Sequence, residues 1–122
     1  MFKKFVLSLV LLSFISASAG ELEDALSKNK NVFLYMYTPE CGYCTSFTPR
    51  YNKLAKMYDK QYTFIKLDAS SMYGYKVFRS YGGRYVPYVV LINSKNDTKS
   101  VSANCLASTE CTERTLIKFT KN

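Results

Sequence analysis

Cys41-Gly42-Tyr43-Cys44 sets two thiols three positions apart, directly after an apolar run and at the start of a helical pattern. At a helix N-terminus the unpaired N–H groups and the macrodipole favour a thiolate, so a cysteine pKa falls from about 8.5 into roughly the 3.5–7.5 range. Cys41 is then placed to attack a substrate disulfide, and Cys44, one turn further in, to resolve the mixed disulfide. Gly42 keeps the approach open, and Tyr43 adds bulk without a positive charge. The plain alternative for the pair is an inert structural disulfide. The chain contains no His, which removes imidazole from every acid–base or metal scheme; thiol exchange is one of the few chemistries that does not need it.

Cys105 and Cys111 form a second pair around the start of the last helix. A structural disulfide is the main expectation, contributing about 2 kcal/mol through the entropy of so short a loop. A second redox pair exchanging with Cys41 and Cys44 is the alternative. A four-cysteine zinc site is weighed and set aside, because the first pair would sit at a strand end rather than in a metal-binding turn. No metal and no cofactor are therefore expected.

The compartment is read from the start of the chain. Met1 to Lys4 is basic, Phe5 to Ile15 is almost unbroken apolar sequence, and Ala17-Ser18-Ala19 before Gly20 is a small-residue cleavage pattern. This predicts a secretory signal peptide at 1–19 and one domain over 20–122. The apolar run falls short of the roughly 20 residues that span a bilayer. The expected location is periplasmic or otherwise secreted, where disulfides persist. With 122 residues, 48% hydrophobic and 21% charged, the composition excludes a multidomain enzyme, a disordered chain and a fibre. The formal charge of +8 loses Lys3 and Lys4 with the leader. Five tyrosines between Tyr73 and Tyr88, interleaved with Lys76, Arg79 and Arg84, form a base-stacking pattern. Export argues against nucleic acid, and half core packing with an aromatic rim beside Pro87 is the better reading.

These cysteines need elements to hold them. Leu22, Ala25 and Leu26 predict a helix over 21–30 and the run 31–37 a strand buried on both faces. Phe47, Tyr51, Leu54 and Tyr58, at steps of four, three and four, predict a helix from Cys41 to about Lys60, kinked by Pro49. A strand over 62–67 and a helix over 70–80, capped by Ser70 or Ser71, follow. Gly82 and Gly83 lead to a strand over 86–92, a turn at 93–97 and a short antiparallel strand ending near Ala103. Ser108 or Thr109 caps a last helix with Leu116, Ile117 and Phe119 inward. The alternation predicts an α/β domain, a small mixed sheet of about four strands flanked by helices.

Together these residues resemble the thioredoxin superfamily, on the strand NVFLYMYT, the motif CGYC with Pro49 five residues after Cys44, the strand FIKLD, and Val86-Pro87 leading into YVVLI. The resemblance implies a thioredoxin fold and thiol–disulfide oxidoreductase activity. It implies a cis peptide between Val86 and Pro87, with Pro87 facing the dithiol, and a buried lysine beneath the site at Lys66. Tyr35 stands where the family usually buries an acid, and Glu40 where it usually places Trp. A phenol with a reference pKa near 10 is a poor base at neutral pH, so Tyr35 reads more simply as core. The Glu40 charge opposes the dipole, which puts the expected Cys41 pKa nearer to about 7 than to about 4. The expected activity is therefore extracytoplasmic and leans to reduction or isomerisation; a disulfide-introducing oxidase and a non-catalytic binding module are the alternatives. Expected partners are exported proteins bearing thiols or disulfides and an unidentified redox partner that recycles the dithiol, with no nucleic acid and a monomeric chain.

Overall fold

The computed structural model describes residues 20–121. The predicted leader at 1–19, and its boundary with the domain, lie outside those residues. A first helix, α1, covers 20–27. It is followed by β1 (Val32–Tyr37), α2 (Gly42–Met57), β2 (Thr63–Asp68), α3 (Met72–Ser80), β3 (Tyr88–Ile92), β4 (Thr98–Val101), α4 (Ala103–Leu106) and α5 (Thr109–Thr120). The sheet order is β2-β1-β3-β4. β1 runs parallel to β2, with Val32 opposite Thr63 and Tyr37 opposite Asp68. It runs antiparallel to β3, with Leu34 opposite Val90, and β3 runs antiparallel to β4. This is the thioredoxin fold.

β1 is central, and its side chains divide the core. Val32, Leu34 and Met36 point to the face covered by α1 and α3, where they meet Leu22, Val77 and Phe78. Phe33 and Tyr35 point to the other face, where they meet Phe47, Tyr51 and Leu54 of α2 with Leu106 and Leu116. Residues buried on both sides of a strand need apolar neighbours on both sides, which is why the run at 32–36 carries no charge. Each such side chain contributes roughly 1.5–3 kcal/mol.

Four helices begin with the same device. The side chain at the N-cap accepts the N–H three residues on: Cys41 from Cys44, Ser71 from Gly74, Ser102 from Cys105 and Ser108 from Cys111. Gly74 is also required sterically, since a Cβ there would collide with the Asp68 carbonyl.

The boundaries depart from the sequence expectation at identifiable places. α1 stops at 27 rather than 30, because Asn29 turns left-handed at φ 54°. α2 is one helix through Pro49, and it ends at Met57, where the Tyr58 N–H caps the Leu54 carbonyl at 2.9 Å. β3 begins at Tyr88, two residues late, because the chain is still bending at 85–87, where Pro87 has no N–H to give a ladder. The helix α4 replaces the expected end of β4. Ile117 is not inward: it is 39% exposed. Thr112, Leu116 and Phe119, at steps of four and three, form the inward stripe of α5, and Ile117 lies a helical quarter-turn away.

Candidate active site

β1 delivers the chain to the N-terminus of α2 through the turn at Thr38, whose carbonyl accepts the Cys41 N–H at 3.2 Å. Cys41 is the N-cap residue in extended conformation, φ −83° and ψ 112°. Its Sγ accepts the Cys44 N–H at 3.0 Å. The two cysteines are joined in a disulfide with Cα atoms 5.2 Å apart. Cys41 is half-buried, whereas Cys44 is only 2% exposed. The reachable sulfur is thus the one at the positive end of the helix. A Cβ on Gly42 would meet nothing, and the Tyr43 side chain is 80% exposed. The approach to Cys41 is open.

Beneath Cys44 lies Tyr35, fully buried. Its hydroxyl donates to the Cys44 carbonyl at 3.0 Å and stands 3.1 Å from Thr48 Oγ1, which also donates to that carbonyl at 2.9 Å. The ring meets Phe47 edge-on with centroids 5.0 Å apart. Burial pushes the Tyr35 phenol above its ordinary value, partly offset by the Thr48 bond. The phenol stays protonated and works as a hydrogen-bond donor. The structure therefore ties Tyr35 to the backbone of the second cysteine rather than to either sulfur.

Lys66 departs from the expected buried lysine. It is exposed, with its ammonium over the Tyr37 ring at 4.5 Å and near the Tyr35 ring at 5.9 Å. β2 is an edge strand of the sheet, so a long side chain there reaches water past the rim while its stem covers apolar surface. Glu40 is exposed in the turn before Cys41. Val86 and Pro87 are half-buried, and the peptide between them is cis. Val86 packs against the side chains of both core faces.

Cys105 and Cys111 are bonded to each other, with Cα atoms 5.2 Å apart. They lie at the starts of α4 and α5, and Cys105 Sγ is 3.5 Å from Thr115 Oγ1. Among the described residues no group of three or more His, Cys, Asp or Glu side chains is arranged to hold a metal.

A cavity of about 500 Å³ is walled by Tyr43, the residue before Cys44, and by Phe47, Tyr85, Val86, Pro87 and Leu106. Arg50 also lines it. Sequence reading passed over Arg50, although its place three residues after Phe47 on the α2 face that starts at Tyr43 was visible.

The thioredoxin family model matches residues 13–117. A protein disulfide isomerase from Triticum aestivum is 30% identical over 59 residues, covering 46% of this chain and 12% of that protein. Erp38, a protein disulfide-isomerase from Neurospora crassa, is 33% identical over 63 residues, covering 50% and 17%. This chain thus spans less than a fifth of the length of those relatives. Among solved structures, a mutant thioredoxin from Halobacterium salinarum superposes with a TM-score of 0.70 at 26% identity, over 82% of this chain and 83% of that one. The thioredoxin of Fasciola hepatica gives 0.69 at 22% identity, over 82% and 92%. With the family match running from before α1 into α5 and the Cys41–Cys44 disulfide at the head of α2, the chain belongs to the thioredoxin family.

Proposed function

We propose that the protein is an extracytoplasmic thiol–disulfide oxidoreductase that reduces or isomerises disulfides in exported proteins. One observation carries the reading: the half-buried Cys41 sulfur caps α2 while Cys44 is enclosed behind it. In the dithiol form the helix N-terminus favours a Cys41 thiolate. That thiolate attacks one sulfur of a substrate disulfide, forming a Cys41–substrate bond and releasing the other substrate sulfur, which takes up a proton. Cys44, deprotonated, then attacks Cys41 Sγ and releases the second substrate thiol. The substrate gains two electrons and two protons, and the protein ends with the Cys41–Cys44 disulfide. A partner dithiol must then return those electrons. If Cys44 does not intervene and the released substrate thiol attacks elsewhere, the outcome is isomerisation.

Support for the direction is chemical. A strong oxidant needs a strongly stabilised reduced form, and Glu40 beside Cys41 works against it. The similarity to protein disulfide isomerases points the same way. Support for the location is the leader pattern at 1–19 together with two disulfides in one short chain. The chain is proposed to act as a monomer and to need no cofactor beyond its own thiols.

Insulin reduction by wild type and by Cys41→Ser tests the activity; equal background rates would leave a binding module as the reading. Equilibration against glutathione tests direction, with a potential near about −270 mV marking a reductase, about −180 mV an isomerase and about −120 mV an oxidase. Fractionation of cells expressing the full chain tests location, and recovery with the cytoplasmic fraction would end the export proposal.

A further inference from the structure

Among the described residues, Arg50 is the one charged side chain lining the cavity that Tyr43 and Pro87 wall. Its guanidinium carbon stands 5.8 Å from the centroid of the Phe47 ring, which holds the fork in place. Its Nε is buried and has no hydrogen-bond partner. Among the described residues the ion pair is Lys28–Asp24, and no carboxylate lies within 4.0 Å of Arg50. An arginine is a fixed cation with a planar donor fork suited to a carboxylate. With no carboxylate beside it and no partner for its buried Nε, the guanidinium keeps its outer N–H groups for an acceptor that a ligand in the cavity can supply.

We propose that Arg50 reads an acidic side chain in the extended segment of a protein substrate lying in this cavity; the inference rests on the oxidoreductase reading and deepens it. The occupant is fixed by complementarity: aromatic and aliphatic walls for a peptide backbone and its apolar side chains, and one unpaired cation for a carboxylate. The helix also sets the distance. Tyr43, Phe47 and Arg50 lie on one face of α2, and the Arg50 fork stands over Phe47. Between the heights of Phe47 and Arg50 the helix has risen about 9–13.5 Å from Cys41 at 1.5 Å per residue, which an extended peptide covers in roughly three to four residues at 3.3 Å each. The preferred substrate therefore carries Asp or Glu three or four positions from its reacting cysteine.

The test uses disulfide-linked fluorogenic peptides with Glu, Gln or Lys at three and at four positions on either side of the cysteine, reacted with the reduced full chain. The readout is the ratio of second-order rate constants for single-turnover reduction, Glu over Gln at matched positions. The expected ratio is about tenfold in low salt on one side of the cysteine, falling as salt rises, with Lys below Gln. In Arg50→Met, whose stem keeps the Phe47 contact, the ratio falls to about one, and in Arg50→Lys it is intermediate because the fork is lost. Equal rates for Glu and Gln peptides in wild type, or a preference that persists in Arg50→Met, overturn the proposal. Should Arg50→Met not fold, Arg50→Lys and the salt series decide it. Fluorescence anisotropy of the same peptides with Ser in place of Cys measures the preference without chemistry. No exchange with any peptide, alongside intact Glu-selective binding, would sink the oxidoreductase reading and leave Arg50 as a carboxylate reader.

Discussion

The two disulfides are closely matched in local terms. Each lies at a helix N-terminus, each joins a well-buried cysteine to a half-buried one, and each Cα separation is 5.2 Å. Cys44, Cys105 and Cys111 even share a position, the third residue of a helix whose N–H is taken by the cap. The difference lies in what each bond spans. Cys41 and Cys44 are held by the same helical turn, so breaking their bond frees no element, and Tyr43 between them lines a cavity shared with Val86 and Pro87. Cys105 and Cys111 belong to different helices, α4 and α5, and their bond fastens one to the other. Exposure and spacing do not separate an exchanging pair from a bracing pair. On the proposed reading, in which Cys105 and Cys111 brace, topology and neighbouring surface do.

The largest effect expected from this contrast is on activity. Cys41→Ser should reduce insulin reduction about a thousandfold or more, to background, while the double variant Cys105→Ala with Cys111→Ala should still turn over. An equal collapse in both would erase the distinction and make the second pair a redox partner of the first.

Alkali acts on the layer that both pairs rest upon. Burial raises the phenol pKa of Tyr35, Tyr51 and Tyr62 above the ordinary value of 10.0. The folded state thus holds protons that the unfolded chain releases above about pH 10, so stability is intact below that pH and is lost as pH rises toward the folded values. Each phenol contributes a slope of up to about 1.4 kcal/mol per pH unit. Urea midpoints measured between pH 9 and 11.5 should fall steeply above 10, equally with either disulfide intact; a flat profile would show these tyrosines ionising in place.

Next comes the brace. Removing Cys105 and Cys111 should cost about 2 kcal/mol, which is about 10 °C in melting temperature for a domain of this size. Reduction of Cys41–Cys44 in wild type should cost less, because its loop is shorter. A larger loss at the first pair would reverse the roles.

Tyr35→Phe removes one of two side-chain donors to the Cys44 carbonyl, and about 1 kcal/mol of stability should go with it. A change in the equilibrium constant with glutathione is expected for Cys41–Cys44 and none for Cys105–Cys111, so a shift at both would point to general loosening. The smallest effect concerns Glu40. In a Cys44→Ser background the Cys41 thiolate should titrate nearer to about 7 than to about 4. Glu40→Gln should lower that midpoint by a few tenths of a unit in low salt, since an exposed charge is screened. A midpoint below about 5 before the substitution would contradict the mild thiolate.

Sequence reading reached the alternating elements because β1 and α2 announce themselves: one is a continuous apolar run, the other an apolar stripe at steps of four and three. α4 was not legible, since four residues complete barely one helical turn and leave no periodicity to detect. Only Ser102, capping the Cys105 N–H, marks its start. Lys66 and Ile117 were misplaced for one reason. Each sits in a strongly patterned element, but exposure there depends on whether a neighbour covers that spot, which pattern does not encode. The cis Val86–Pro87 peptide came from family resemblance, not from residue spacing. Arg50 was missed because an arginine after Pro49 on a helix reads as surface; its orphaned Nε exists only once Phe47 and the cavity wall are in place.

The bond from the Cys44 N–H to Cys41 Sγ gives the chain a built-in reporter. The atom that would change covalent partners at each step also fastens the first turn of α2, so disulfide, thiolate, thiol and mixed disulfide present that amide with four acceptors of different strength. Its chemical shift and its rate of solvent exchange should register the state of the sulfur directly, with no reporter group attached to the chain.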